Sequence, residues 1–322
     1  MAAVTELRVR TKVPDRDMED RAGKCPGDAD YDVLLTGPAK VVKLDGRPLA
    51  VYLPAAVAAE LDKPGIYGIL HELHANVSRN RGLASGSPRF RSRQTRSYTR
   101  PVSSAIIGAI DPGGQQRYCR LTSWTGTHLP QWQALQPLLA AIAGRLAEHV
   151  PDRYAAQLAE ADRTDPAWVV PGTPFTTVTV NNTFSTGTHT DRGDLDAGFS
   201  TICCARKGHY AGGRLVFPQY RIAADLGHGD LMLMDAHEWH GNTLITCPCG
   251  TPNHDDNRRE HYGPCTTCGA ERITLVSYFR TKLTTCGSPA DELRRADAYR
   301  DHAEQAAAAR FDAARLQAGG PP

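Results

Sequence analysis

The chain has 322 residues, a formal charge of +2, 22% charged and 41% hydrophobic residues, and nine cysteines. That length predicts one large domain with additions, or two smaller ones, able to bury a sizeable core. No apolar run approaches the roughly 20 residues that cross a bilayer, and the opening MAAVTELRVRTKVPDRDMED is too charged for a secretory leader, so neither a membrane nor a secreted protein is expected.

Residues 1–30 mix both charges, with few apolar residues and no period, which predicts a mobile N-terminal arm before a domain spanning 31–286. In KVVKLDGRPLAVYL (40–53), two apolar runs flank Asp45-Gly46, a hairpin signal, and Pro54–Leu61 predicts a short helix. Residues 78–100 hold arginines at 79, 81, 89, 91, 93, 96 and 100 and no acid. The near-neutral total therefore hides +7 in this segment and −5 elsewhere. SSAIIGAID and QRYCRLTSW predict strands joined by Asp111-Pro112-Gly113-Gly114. Trp132, Leu135, Leu139, Ile142 and Leu146 mark a helix over 131–149, with Pro137 at a start or kink, and a second helix begins at Pro151. From 173 the runs TPFTTVTV, AGFSTICCA, GGRLVFP, GDLMLMDA and RITLVSYFRTKL predict the short strands of a barrel or sandwich. Beyond Ser288-Pro289, a tail rich in Ala, Arg, Asp and Glu predicts a C-terminal helix over 287–322. No internal repeat is present.

The chemistry concentrates after residue 180. In VTVNNTFSTGTHTDRGDLDAGF, His189 and Asp191 are two apart, so on extended chain both side chains face one way and can grip one ion. About fifty residues later comes His237-Glu238-Trp239-His240-Gly241-Asn242. One of its histidines completes a two-histidine, one-carboxylate face, and His240, just past a strand and before Gly-Asn, is favoured over His237. This ligand set leaves open positions and suits non-haem Fe(II) and oxygen. Arg272 and Thr274 share a face of the last strand, where an arginine fork and a hydroxyl suit a carboxylate.

With these residues assembled, the stretch from about Arg117 to Arg280 resembles the TET/JBP family of Fe(II)- and 2-oxoglutarate-dependent dioxygenases. The matching pieces are CRLTSWT, FTTVTVNN, HTDRGD, GGRLVFP, HEWHGN and RITLVSYFR. The resemblance implies an α+β fold with a double-stranded β-helix (jelly-roll) core and flanking helices. It implies iron on His189, Asp191 and His240, 2-oxoglutarate on Arg272 and Thr274, and O2 as co-reactant. The implied reaction oxidises the 5-methyl group of 5-methylcytosine in DNA to hydroxymethyl, and in further rounds to formyl and carboxyl. Thymine in DNA, 5-methylcytosine in RNA, and a small molecule or protein side chain stay open as substrates. So does a non-catalytic DNA-binding module, against which the intact ligand set speaks.

A duplex hides the methyl group, so such enzymes flip the nucleotide into a pocket. Asp194 lies where family members tend to place a base-contacting side chain, and a carboxylate there accepts from the exocyclic amine of cytosine; Arg192 and Asn182 are further candidates. Arg89, Arg91, Arg93 and Arg96 are expected on phosphates, with Phe90 and Tyr98 stacking.

Cys247 and Cys249, then Cys265 and Cys268, form C-x-C-x15-C-x2-C with glycine after each pair. Four thiolates so spaced predict a structural Zn(II) knuckle over 247–268, inserted between the His240 and Arg272 strands. His254 and His261 are alternative ligands, and paired disulfides are the competing reading. Cysteines 25, 119, 203, 204 and 286 are read as packing residues, and His71-Glu72-Leu73-His74 is given no metal role. A monomer in the cytoplasm of a bacterium or phage-infected host, or in a eukaryotic nucleus, is the expected setting.

Overall fold

The computed structural model describes residues 3–78, 81–86, 101–113, 116–249 and 263–301. Its strands, in chain order, are β1 (Thr5–Arg8), β2 (Val33–Leu35), β3 (Ala39–Val42), β4 (Pro48–Leu53), β5 (Val77–Ser78), β6 (Val102–Ile110), β7 (Arg120–Leu121), β8 (Thr177–Asn182), β9 (Ser200–Lys207), β10 (Leu215–Phe217), β11 (Ile222–Ala224), β12 (Leu231–Met234), β13 (Gly241–Asn242) and β14 (Glu271–Tyr278). The large sheet runs β1-β3-β4-β12-β9-β14-β8-β6-β5, with β7 on β6; the small sheet runs β13-β10-β11-β2. Two sheets sharing one core, with helices packed outside, make the double-stranded β-helix of an α+β fold.

Alternation along the strands decides which residues meet which layer. Cys203 and Ala205 of β9, Leu231 and Leu233 of β12, and Ile273 and Leu275 of β14 pack with Leu135, Leu138, Leu139, Ile142 and Leu146. Those leucines and Ile142 form the buried stripe of the helix Leu129–His149, which starts earlier than its period predicts and carries Pro137 in its interior. The intervening residues Ile202, Cys204, Met232 and Met234 pack instead with Leu215, Phe217, Ile222 and Ala224 of the small sheet. Each fully buried aliphatic is worth roughly 1.5–3 kcal/mol, so both faces of the large sheet are firmly covered. On β14 that same parity turns Arg272, Thr274 and Val276 inward, where they line a cavity between the sheets.

Three expectations are corrected here. Residues 3–30 are not a mobile arm: β1 pairs in parallel with β3, Met18 is fully buried, and Gly23 and Lys24 bond the backbone of Thr188 at 2.8 Å. A few apolar anchors, Val9 and Met18 among them, suffice to dock a chain whose remaining residues face water. QRYCRLTSW yields only the two-residue β7 before the short helix Ser123–Thr127, whose Thr122 caps it by accepting from the Thr125 amide. Cys119 and Cys286 are joined as a disulfide, with Cα atoms 5.9 Å apart, rather than packing separately. Leu283 and Trp168 bury beside them, and Glu292 accepts from the amides of Cys119 (2.8 Å) and Gly287 (2.7 Å), which seats the last described segment on the domain. That segment is helical over 289–301. The remainder of the predicted tail, Arg89, Arg91, Arg93 and Arg96 with Phe90 and Tyr98, and the knuckle's His254 and His261 lie outside the described residues.

Candidate metal and cosubstrate site

His189 and His240 face each other across an isolated antiparallel bridge, each amide bonding the other's carbonyl at 2.9 Å. The amide of Asp191 bonds the carbonyl of Ala236 at 2.9 Å, so the HTD segment zips onto the turn that carries His240. One ligand atom each from His189, Asp191 and His240 falls within 4.8 Å of the others. Nε2 of His189 is 3.5 Å from Asp191 Oδ1, and Nε2 of His240 is 3.8 Å from Oδ2. Nδ1 of His189 bonds the Gly187 carbonyl at 2.7 Å and Nδ1 of His240 bonds the Glu238 carbonyl at 2.9 Å. Both Nδ1 atoms therefore carry the proton, and each Nε2 presents its lone pair to the centre.

Electrostatics fit a dication. Burial pushes the Asp191 carboxyl up, but the hydrogen bond and charge of His189, then His240, outweigh it and hold the group at about 2. Burial, then the charge of His189, pushes His240 down to about 4. His189 is pushed down by burial but ends above its ordinary value because of Asp191. A bound metal would displace the proton these two share. His237 is elsewhere: it sits 3.3 Å from both Asp235 and Asp196. The turn between has its own brace, since the buried Nζ of Lys43 bonds Asp235 and Glu238, each at 2.9 Å.

The three ligand residues open into a cavity of about 670 Å³, also lined by Arg272, Thr274, Asp194 and Arg192. That volume is in the range of small-molecule sites. Arg272 is 3% exposed, and among the described residues no carboxylate lies in ion-pair range of its guanidinium. A buried, unpaired guanidinium is costly, so its environment calls for an anion from outside. Its stem passes Gly213, where a Cβ would come within 3.0 Å of Arg272 Cδ. At Gly212, with φ +75°, a Cβ would lie 1.7 Å from the Leu244 carbonyl oxygen. Gly212→Ala is thus expected to cost at least about 3 kcal/mol, lowering the thermal midpoint by roughly 4–5 °C for a chain of this length in a calorimetric scan.

Asp194 is held by Ser200, whose hydroxyl donates to Oδ2 at 2.9 Å. Burial, then the charge of Asp191, pushes its carboxyl up to about 7. Asn182 is a correction: its amide nitrogen donates to the buried Glu271 on the opposite face of β8, and Asn181 lines the cavity instead. One residue of slip in a strand exchanges faces. Glu271 also accepts from Tyr67 and bonds His71 Nδ1 at 2.9 Å, which engages the first histidine of the HELH run.

Several cavity residues carry no signal in the sequence. Arg81 is largely buried, with Nε and Nη2 lacking any partner among the described residues, and burial pushes its guanidinium down. Tyr278 and Arg280 also line the cavity, with Arg280 paired to Asp111 at 2.6 Å. Arg81 belongs to the arginine run, but nothing in the run distinguishes it from its neighbours. A second cluster lies outside the cavity: the sulfurs of Cys247, Cys249, Cys265 and Cys268 lie within 4.8 Å of one another. No helix among the described residues is long and apolar enough to cross a membrane.

Comparison with known proteins follows from this geometry. The sequence signature Tet_JBP, described as the oxygenase domain of the 2OGFeDO superfamily, matches residues 112–281. Thymine dioxygenase JBP1 of Leishmania braziliensis is 33% identical over 195 residues, 60% of this chain and 21% of that protein. Its counterpart in Trypanosoma brucei brucei is 34% identical over 146 residues, 44% of this chain and 17% of that protein. The chain thus spans about a fifth of the length of these curated relatives. The solved structure of NgTET1 in complex with 5mC DNA shares the fold, with a TM-score of 0.52, 12% identity, and coverage of 85% of this chain and 94% of that one.

Proposed function

Because the chain belongs to the Tet_JBP family of 2OGFeDO oxygenases, we propose that it oxidises the 5-methyl group of a pyrimidine in DNA, using Fe(II), 2-oxoglutarate and O2, with 5-methylcytosine as the preferred base. The observation that carries this reading is the convergence of His189, Asp191 and His240 on the same cavity as the unpaired Arg272. When bound, iron and 2-oxoglutarate supply the oxidising power for C–H hydroxylation, with succinate and CO2 as co-products.

The chain's own residues hold, orient and exclude. His189 and His240 offer Nε2, and Asp191 a carboxylate oxygen. Arg272 offers a fork for the far carboxylate of 2-oxoglutarate, with the Thr274 hydroxyl beside it. Ile202, Leu215, Met234 and Val276 line the cavity with apolar surface that keeps water from the reacting atoms. Asp194, with Oδ2 occupied by Ser200, keeps Oδ1 for the base, while Arg192 stands exposed at the rim.

Thymine is the second reading, favoured by the names of the two trypanosomatid relatives and by the upward push that burial gives the Asp194 carboxyl. Cytosine presents an amine, which needs an ionised carboxylate as acceptor; thymine presents a carbonyl, which needs a protonated one as donor. With the carboxyl raised to about 7, it is neutral below and charged above that value, and the fold loses stability as pH climbs from the ordinary carboxylate range towards 7. A dication nearby acts the other way and pulls this transition back down. Because it follows the ratio of ionised to neutral Asp194, the ratio of 5-methylcytosine to thymine oxidation is expected to rise roughly a hundredfold between pH 6 and 8, and Asp194→Asn should flatten it.

The deciding experiment is nucleoside mass spectrometry after incubation with duplex DNA carrying 5-methylcytosine or thymine alone. Hydroxymethylcytosine, formed only with iron and 2-oxoglutarate, supports the proposal. Product from thymine alone would move the assignment to the second reading. Absence of substrate-stimulated succinate release from either DNA would overturn oxidation of DNA pyrimidines as the function.

A further inference from the structure

We propose that Cys247, Cys249, Cys265 and Cys268 bind one structural Zn(II), and that this ion sets the affinity for 2-oxoglutarate by pinning the backbone on both sides of Arg272. The second half rests on Arg272 as cosubstrate anchor. The sulfur of Cys247 lies 2.9 Å from Cys249, 3.0 Å from Cys268 and 3.5 Å from Cys265, and Cys249 lies 3.4 Å from Cys265. Disulfides would bring two pairs to about 2.05 Å and have no reason to draw all four together. Four thiolates around one Zn(II) at about 2.3 Å sit about 3.8 Å apart, slightly wider than here. Cys247 and Cys265 are buried with Tyr210, Ile245 and Ala270 in a small core of their own, while Cys249 and Cys268 are exposed. Such a core is too small to hold the chain by apolar burial alone, the situation in which a metal supplies the folding energy.

The placement links this cluster to the cavity from two directions. Downstream, the Cys265 amide bonds the Ala270 carbonyl and the Gly269 amide bonds the Cys265 carbonyl, both at 2.8 Å, two residues before Arg272. Upstream, the strand-like stretch before Cys247 bonds the double-glycine segment: Ala211 and Thr246 exchange bonds at 2.8 Å, and the Gly213 amide bonds Thr243 at 3.2 Å. Gly213 is the residue against which the Arg272 stem lies. Tyr210 adds a third tie, its ring lying 4.0 Å beneath the guanidinium of Arg206, the β9 partner of Arg272. One ion thus clamps the backbone that carries Arg272 to the backbone that walls it. The iron ligands are braced separately, through Gly187, Ala236 and Glu238. Loss of zinc should loosen the cosubstrate anchor while sparing the iron site.

The test uses the full chain, with zinc and iron quantified by plasma mass spectrometry and 2-oxoglutarate binding measured by calorimetry on protein loaded with Mn(II) to prevent turnover. Wild type is expected to hold about one zinc per chain. Cys268→Ser, at an exposed sulfur, should lose it and weaken 2-oxoglutarate binding about tenfold, with Mn(II) loading unchanged; Cys268→His, which keeps a ligand, should restore both. Should Cys268→Ser fail to fold, the same comparison is made on wild type stripped of zinc by a mercurial and reduced, before and after zinc is added back. Zinc-free wild type, or unchanged 2-oxoglutarate affinity on zinc loss, overturns the inference. Neither result bears on DNA oxidation at saturating 2-oxoglutarate, and a chain inactive on DNA still reports its zinc content and its 2-oxoglutarate affinity.

Discussion

Asp191→Ala is expected to lower DNA oxidation by roughly 10³-fold or more, since metal-centred activation is worth several kcal/mol and each 1.4 kcal/mol is tenfold. The reason is positional. Asp191 is the one anionic member of the triad, and its oxygens reach both Nε2 atoms, at 3.5 and 3.8 Å. Without it two neutral imidazoles remain, a weak site for Fe(II). Ferrous titration followed by product analysis checks the result: iron should no longer be retained, while the Asp191 amide still bonds Ala236 and the fold persists. Asp191→Asn, which keeps the shape and removes the charge, should fail almost as completely. Wild-type turnover by either variant would remove the triad from the mechanism.

Arg272→Ala should separate cosubstrate binding from metal binding. Truncating one partner of a buried charge pair costs about 2–5 kcal/mol, so the 2-oxoglutarate dissociation constant should rise about a hundredfold. Iron retention should not change, because Arg272 contributes no atom to the triad cluster. Arg272→Lys keeps the charge without the planar fork and should fall between, at about tenfold. Calorimetry with 2-oxoglutarate reads both effects. A variant that loses iron together with 2-oxoglutarate would mean that Arg272 holds up the fold rather than the ligand.

What the sequence made legible was local. His189 and Asp191 two apart, Arg272 and Thr274 two apart, and two cysteine pairs each followed by glycine all encode a shared face or a tight turn over a few residues. The structure brings each of these sets together. What stayed hidden depends on pairings far apart in the chain. Val9 looks like a stray apolar residue until β3 and the small sheet exist to receive it. Cys119 and Cys286 are 167 residues apart, and no spacing rule joins them. The exchange of Asn182 for Asn181 has a different cause: both lie on one strand, and its parity is settled only by which side the helix Leu129–His149 covers. The three-residue β11, IAA, is too short to show any period.

The pairing of β4 with β12 has a consequence for how the chain comes to be folded. Leu53 lies opposite Leu231 and Ala50 opposite Met234, so the apolar run PLAVYL must wait for a partner made 178 residues later. At synthesis rates of about 5–20 residues per second, that is roughly 10–35 s during which a β-prone segment, paired only with β3, lacks its second neighbour. Folding is then slow by topology, since the closing contact is among the most distant in sequence. Lys43, one turn ahead of β4, arrives with it to brace Asp235 and Glu238. Lys43, made well before β12, is thus what locks the His240 turn into place at the end of folding.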